Sequence, residues 1–277
     1  MFDKKVIPLD KWVQDGIDYI VDNYRDFFQA VKLPIEKTLD WLDWLFNAVN
    51  PIIIIILFAF LAYKLSGKKL AIFSVITFVF IGLLGLWHES MTTLAMIAAS
   101  VFFCVLVGVP LGIMSGKSDR FENALKPLLD AMQTTPAFVY LIPVVMLFSI
   151  GNVSGVIATI VFALPPIVRL TSLGIRQVDK ELVEAGIAFG ATKWQLLLKV
   201  QIPLAWPTIM AGLNQTIMMA LSMVVIAALI GSGGLGEPVF QGLNNLDIGL
   251  AFIGGISIVL MAIVLDRLSQ NIGRKNK

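Results

Sequence analysis

The chain is poor in charge. Asp, Glu, Lys and Arg make up only 14% of its 277 residues, against 57% hydrophobic residues and a mean hydropathy of +0.85. A soluble domain carries roughly a quarter of its residues as charges, so the composition excludes a water-soluble globule and predicts an integral membrane protein. There is one cysteine, Cys104, in an apolar run. It can form no internal disulfide and reads as a small packing group. The one histidine, His88, has no Cys or His companion, which argues against a metal site. No GxxxxGK[ST] phosphate loop occurs, so the chain lacks the usual means of binding and hydrolysing ATP. No nucleophile–base constellation stands out, and no enzyme is expected. A net charge of +2 gives no reason to expect a nucleic-acid partner. The apolar runs lack the alternation of a membrane β-strand, and with no water to satisfy backbone groups, helices remain.

What is present is a series of seven apolar runs, at about 51–65, 70–87, 91–115, 136–150, 153–173, 207–231 and 248–266. A crossing helix needs roughly 20 residues. The first and fourth runs are short, and the fourth has an uncertain start within Ala131–Thr135. Lys and Arg cluster in alternate loops: Lys64, Lys68 and Lys69; Lys117, Arg120 and Lys126; Arg176, Lys180, Lys193 and Lys199; and Arg267, Arg274, Lys275 and Lys277. The intervening loops near His88 and Asn152 and across 232–247 contain none. This bias predicts that the basic loops and the C-terminus are cytoplasmic. Seven crossings then put the N-terminus outside. The start, Met1–Pro8, is polar, and no secretory signal peptide is expected.

Residues 1–50 read as an external segment. Trp12, Ile17, Ile20, Tyr24, Phe27, Phe28 and Val31 recur at helical spacing, with Asp15, Asp18, Asp22 and Asp26 opposite. Pro34 is expected to break this helix before a second amphipathic stretch through Trp41 and Trp44. Such helices suit a membrane surface, as an anchor or as a platform for an external partner or a sister subunit; an aromatic cage for a cationic ligand is the remaining alternative, since indole faces attract cations.

The middles of the spans hold no Asp, Glu, Lys, Arg or His. Gradient-driven carriers and channels usually carry such groups at depth, so any pumping energy must come from another polypeptide. Arg169 is expected to snorkel to the cytoplasmic surface. The spans have prolines instead, which kink helices and free carbonyls. Gly82, Gly85, Gly108 and Gly112 are expected to allow close helix packing. The polar cluster Gln133, Thr134 and Thr135, with Pro136 and Tyr140, and the pair Pro165-Pro166 are the candidates for lining or gating a pathway. Ordinary kinks and packing are the alternative.

One long polar loop, 174–206, lies between the fifth and sixth runs. It reads Glu184-Ala185-Gly186-Ile187-Ala188-Phe189-Gly190, then nine residues, then Val200-Gln201-Ile202-Pro203. Gly190 is placed to end a helix in the left-handed conformation, and Thr192 to cap the next through its hydroxyl. Pro203 and Pro207 are expected to stop that second helix before the sixth span. A helix, tight turn and helix with small residues at the apex suit a surface that a partner pushes on.

This spacing resembles the EAA loop of ABC importer permeases, E-A-A-x3-G-x9-I-x-L-P. Glu184, Ala185, Gly190 and Pro203 match; Gly186, Val200 and Ile202 are small or apolar departures. Asp130–Pro143, Val161–Arg169 and Gly233-Gly234-Leu235-Gly236-Glu237 are similar to the glycine betaine/proline betaine permease group. The resemblance implies an all-α membrane fold of about seven helices. Residues 90–267 would form a MetI-like five-helix core, 51–89 two extra helices, and 268–277 a cytoplasmic tail. It implies a homodimer of permeases in the bacterial cytoplasmic membrane, two cytoplasmic ATPases that use ATP-Mg, and an external binding protein; this chain itself carries no cofactor or metal. The coupling residues would be Glu184, Ala185, Gly186, Phe189, Gly190, Ala191, Thr192, Lys193 and Pro203. The implied substrates are quaternary ammonium osmoprotectants. The alternatives are another small solute such as choline, carnitine or an amino acid, or a self-contained channel or secondary carrier.

Overall fold

In the computed structural model residues 8–272 are described, so the expectations for Met1–Ile7 and for Arg274, Lys275 and Lys277 lie outside the described residues. Every α-helix can be named in chain order: α1 (Leu9–Ala48), α2 (Pro51–Ser66), α3 (Lys68–Leu83), α4 (Trp87–Lys117), α5 (Asp119–Thr134), α6 (Leu141–Phe148), α7 (Asn152–Arg176), α8 (Lys180–Ala188), α9 (Lys193–Leu196), α10 (Ile202–Ile226), α11 (Gly236–Asn244) and α12 (Ile248–Ile272).

Local chemistry sets several of these boundaries. The Asn50 side chain accepts from the Ile52 N–H at 3.0 Å, with Pro51 in the first turn, where its missing N–H costs nothing. Ser118 caps α5 through the Phe121 N–H, and Asp179 caps α8 through the Glu181 N–H at 3.0 Å. Gly67, at φ 87°, joins α2 and α3 as a hairpin.

Four helical stretches are long and apolar enough to cross a bilayer: α4, α7, the continuous stretch Lys193–Ile230, and α12. Two further spans arise if each of two bent pairs is counted as one: α1 with α2, bent by 104°, and α5 with residues 137–148, bent by 107°. Helices α2 and α3 have 16 residues each, about 24 Å against a hydrocarbon core of about 30 Å. The fourth apolar run is not a straight span either. It holds a 3-10 turn at Ala137–Tyr140 and the eight-residue α6.

The core is the trio α4, α7 and α10. Parallel packing of α4 on α7 follows from small residues one turn apart. A Cβ on Gly112 would lie 2.5 Å from the Thr171 Cβ and 2.7 Å from the Val168 carbonyl oxygen, and one on Gly116 would meet Ile175. Gly108 abuts Ile167 in the same way. In lipid, helices associate by such close van der Waals contact, without help from a hydrophobic force between them. Helix α10 runs antiparallel to α7, with Gly174 against Ala205 and Gly212 against Ile167 and Leu170. Gly82 and Gly85 do not share this role. Gly85 has φ 77° in the turn between α3 and α4, with nothing close to its Cβ position.

Three expectations from proline need correction. Helix α1 runs through Pro34, and its non-helical backbone lies at Tyr24 (φ −120°, ψ 20°). Ile35 and Leu39, just beyond Pro34, are buried in the core. Burying two such side chains, at roughly 1.5–3 kcal/mol each, offsets a proline penalty of roughly 3 kcal/mol. Pro203 and Pro207 do not separate α9 from the sixth span. A π-turn at Leu197–Gln201 connects them, with the Ile202 N–H bonded to the Leu197 carbonyl five residues back. The wider turn relieves the pressure of a proline ring on the carbonyl four residues before it. Pro207 lies inside α10, between Ala205 and Thr208, which pack on Gly174. Finally, α12 continues to Ile272, so residues 268–272 belong to the last helix rather than to a tail.

Candidate functional site

The 177–201 segment forms an elbow that projects from one end of the trio. Its first arm, α8, ends in a Schellman motif. The Ala191 N–H donates to the Gly186 carbonyl at 3.0 Å, and the Gly190 N–H to the Ile187 carbonyl at 2.9 Å. Gly190 has φ 80°, a conformation that costs an L side chain roughly 1–2 kcal/mol. Its second arm begins in a capping box. The Thr192 hydroxyl accepts from the Gln195 N–H at 3.3 Å, and the Gln195 side chain accepts from the Thr192 N–H at 2.9 Å. Both cap assignments made from the sequence therefore hold. Gly186, the departure from the E-A-A pattern, has its own reason. A Cβ there would lie 2.8 Å from Leu196 Cδ1, so the glycine lets the two arms close.

The elbow holds its shape through its own hydrogen bonds and offers its apolar side chains outward. Phe189 is 93% exposed and Trp194 71%. Glu184, Ala185 and Lys193 are exposed as well. Apolar exposure of this size beside a rigid turn is of the kind that a partner can cover. Leu197 is buried at its base. Trp194 was not among the candidate residues; its place opposite Phe189 depends on the turn.

The second candidate cluster lies at the α5–α6 bend. Thr135 Oγ1 and N–H both donate to the Ala131 carbonyl, at 2.8 and 3.1 Å, which ends α5. Thr134 Oγ1 reaches the same carbonyl at 3.3 Å. Pro136 then turns the chain, and the Tyr140 hydroxyl reaches back to the Met132 carbonyl at 2.5 Å. The Tyr140 ring meets Phe162 of α7 edge-on at 6.2 Å. Gln133 and Pro136 are exposed, while Pro165 and Pro166 are buried inside α7. The cluster is thus a hydrogen-bonded corner against α7.

Ion pairs tie α5 to α7 at both ends, at its start through Arg176 and near the corner through Arg169. Arg176 holds Asp119 at 2.6 Å and Glu122 at 2.7 Å, and donates to the Ser115 carbonyl at 2.8 Å. Arg169 pairs with Asp130, and both side chains are well exposed. The contacts run along one face of α5, but their partners are 39–57 residues away in sequence, so spacing alone gave no sign of them. At the opposite end of the trio, the turn before α11 is also pinned. The Leu235 N–H donates to Thr93 Oγ1 at 2.8 Å and the Gly233 N–H to Asn152 Oδ1 at 2.7 Å.

Comparison with known proteins agrees with this architecture. The family described as "Binding-protein-dependent transport system inner membrane component" matches residues 108–277. The glycine betaine/proline betaine transport system permease protein ProW of Escherichia coli (strain K12) is 51% identical over all of this chain and 78% of its own length. The glycine betaine/carnitine transport permease protein GbuB of Listeria monocytogenes is 47% identical over 98% of this chain and 97% of its own. OpuAB of Bacillus subtilis, a glycine betaine transport system permease protein, is 43% identical over 98% and 96%. Among solved structures, the inward-facing MetNI methionine ABC transporter matches with a TM-score of 0.61 at 22% identity, over 67% of this chain and 93% of that one. That likeness speaks to the fold.

The chain belongs to the inner membrane components of binding-protein-dependent transport systems. It is a multi-pass, non-catalytic permease subunit of an ABC importer, whose ATPase is a separate partner and which works with a binding protein.

Proposed function

We propose that this permease forms the pathway for quaternary ammonium osmoprotectants, with glycine betaine as the principal solute. The supporting observation is that relatives at 43–51% identity over nearly the whole chain are all named for glycine betaine. Two copies build the pathway, and two ATPases, each with ATP-Mg, grip the elbows. The basic ends face the cytoplasm, in keeping with the charge bias. Glu184, Ala185, Gly186, Phe189, Gly190, Ala191, Thr192 and Lys193 form the gripped surface, and Pro203 fixes the exit of the second arm. Closure of the ATPases moves each elbow as a rigid body, and the access state switches between two arrangements. The corner at Gln133, Thr134, Thr135, Pro136 and Tyr140, with Pro165 and Pro166 behind it, lines or gates the pathway.

The test is uptake into proteoliposomes containing the complete system with ATP inside. Labelled glycine betaine, proline betaine, carnitine, choline and proline are offered singly and in competition. Glycine betaine should be accumulated against its gradient, and unlabelled glycine betaine should displace the others. Uptake of proline or choline in preference to every betaine would overturn the assignment.

A further inference from the structure

A groove of about 350 Å³ opens between the α2–α3 hairpin and the last turns of α12, away from both candidate clusters. Its rim is polar. Lys69 comes from α3, and Arg267 and Asn271 come from α12. Asn271 Nδ2 donates to Ser66 Oγ at 2.7 Å, which ties the hairpin to α12 below the rim. Its floor is apolar: Leu70, Phe73 and Ile263.

Neither rim cation has a carboxylate partner among the described residues. The nearest acid in sequence, Asp266, is occupied elsewhere. Its carboxylate accepts from Gln270 at both oxygens, each at 2.8 Å, and from Asn214 of α10 at 3.4 Å. Each cation also heads a stripe of apolar side chains. Below Arg267 on α12 come Ile263, Val259 and Phe252; below Lys69 on α3 it is Leu70 and Phe73 that face this groove, while Ile72 and Ile76 line a separate hollow beside it. Positive heads above a greasy track, between two helices at the end of a membrane bundle, match one class of molecule in both halves.

We infer that this groove is a binding site for an anionic phospholipid. Lys69 and Arg267 hold the phosphate, the Asn271 Oδ1 accepts from a headgroup hydroxyl while its amide protons stay on Ser66 and the Arg267 carbonyl, and an acyl chain lies along Phe73, Ile263 and Val259. A lipid seated here also wedges the extra helices against the core, at a distance from the elbow. The inference does not depend on which solute is carried.

The full-length permease, purified in detergent, is equilibrated with equal amounts of phosphatidylglycerol and phosphatidylcholine of the same acyl chains. Bound lipid is then counted by native mass spectrometry. The unaltered chain should retain phosphatidylglycerol selectively. Removing both cations (K69A with R267A) should reduce that preference by about 30-fold, from about fivefold for each surface charge. The charge-keeping pair K69R with R267K should restore it, and K37A on α1 should leave it unchanged. Phe73→Ala should weaken retention of diacyl lipid. Millimolar inorganic phosphate should not displace the lipid; displacement would make this a free-anion site and overturn the assignment. Equal phosphatidylglycerol retention by the unaltered chain and by K69A with R267A would overturn it too.

Discussion

At the scale of single residues, two glycines carry the sharpest consequences. Gly190 is left-handed at the apex of an elbow whose caps depend on that conformation. Gly190→Val should remove ATP-dependent uptake while membrane insertion and yield stay normal. Gly190→Asn, which tolerates the left-handed region, should keep a substantial part of the activity. Equal uptake by the valine variant would count against the elbow as the coupling element. Gly112 acts differently, because it lacks the room for a side chain rather than needing a special φ. Gly112→Leu forces α4 off Thr171 and the Val168 carbonyl and should destabilise the fold by roughly 1–3 kcal/mol or more, seen as a lowered unfolding temperature in detergent. The apex was legible in the sequence because capping is a local grammar: one glycine and one threonine at fixed offsets. The reason for Gly186 was not legible, since it is set by Leu196 across the turn.

At the scale of elements, the question is what holds α5. The helix is pinned to α7 by Arg176 at one end and Arg169 towards the other. The Arg169–Asp130 pair is well exposed, with side chains 39% and 50% accessible. Its contribution to global stability is accordingly of the order of 0–1 kcal/mol. Its effect should instead be local. Asp130→Arg should speed hydrogen exchange across 119–134 and lower the uptake rate, and the swap of Asp130→Arg with Arg169→Asp should restore both. Failure of the swap to slow exchange would mean that the pair is incidental. The sequence conveyed the long spans well, because α4 is uncharged from residue 90 to 116, α10 is uncharged throughout, and α7 and α12 are uncharged up to Arg169 and Asp266 in their later turns. It misjudged elements where tertiary packing outweighs a local signal. Proline at 34 and 207 reads as a stop, yet buried neighbours, Ile35 and Leu39 after the first and Ala205 and Ile209 around the second, keep the helix intact. The run at 136–150 reads as a span, yet Pro136 and two threonine hydroxyls turn it through a corner.

At the scale of the whole molecule, sidedness is the main expectation that remains to be measured, and the chain is well suited to it. Its one native thiol, Cys104, is fully buried, so introduced cysteines should be labelled without background. Leu246, 87% exposed at the end opposite the elbow, should react as Leu246→Cys with a membrane-impermeant maleimide on intact cells. Phe189→Cys should react only after the membrane is opened, and less when the ATPase is bound. Labelling of Phe189→Cys on intact cells would reverse the orientation read from the basic loops. The alternate clustering of Lys and Arg predicted that orientation, but the short hairpin α2–α3 and the steep angle between α1 and α2 depend on packing that no charge count conveys. One property of the second arm then governs how the machine is geared. Lys193–Ile230 is a single helical stretch of 38 residues, roughly 57 Å long, so a pivot of about 5° at one tip sweeps the other through an arc of about 5 Å. The π-turn at Leu197–Gln201 is a soft point near the driven tip of that strut, so stiffening it should pass more of a push on the elbow to the far end of the helix.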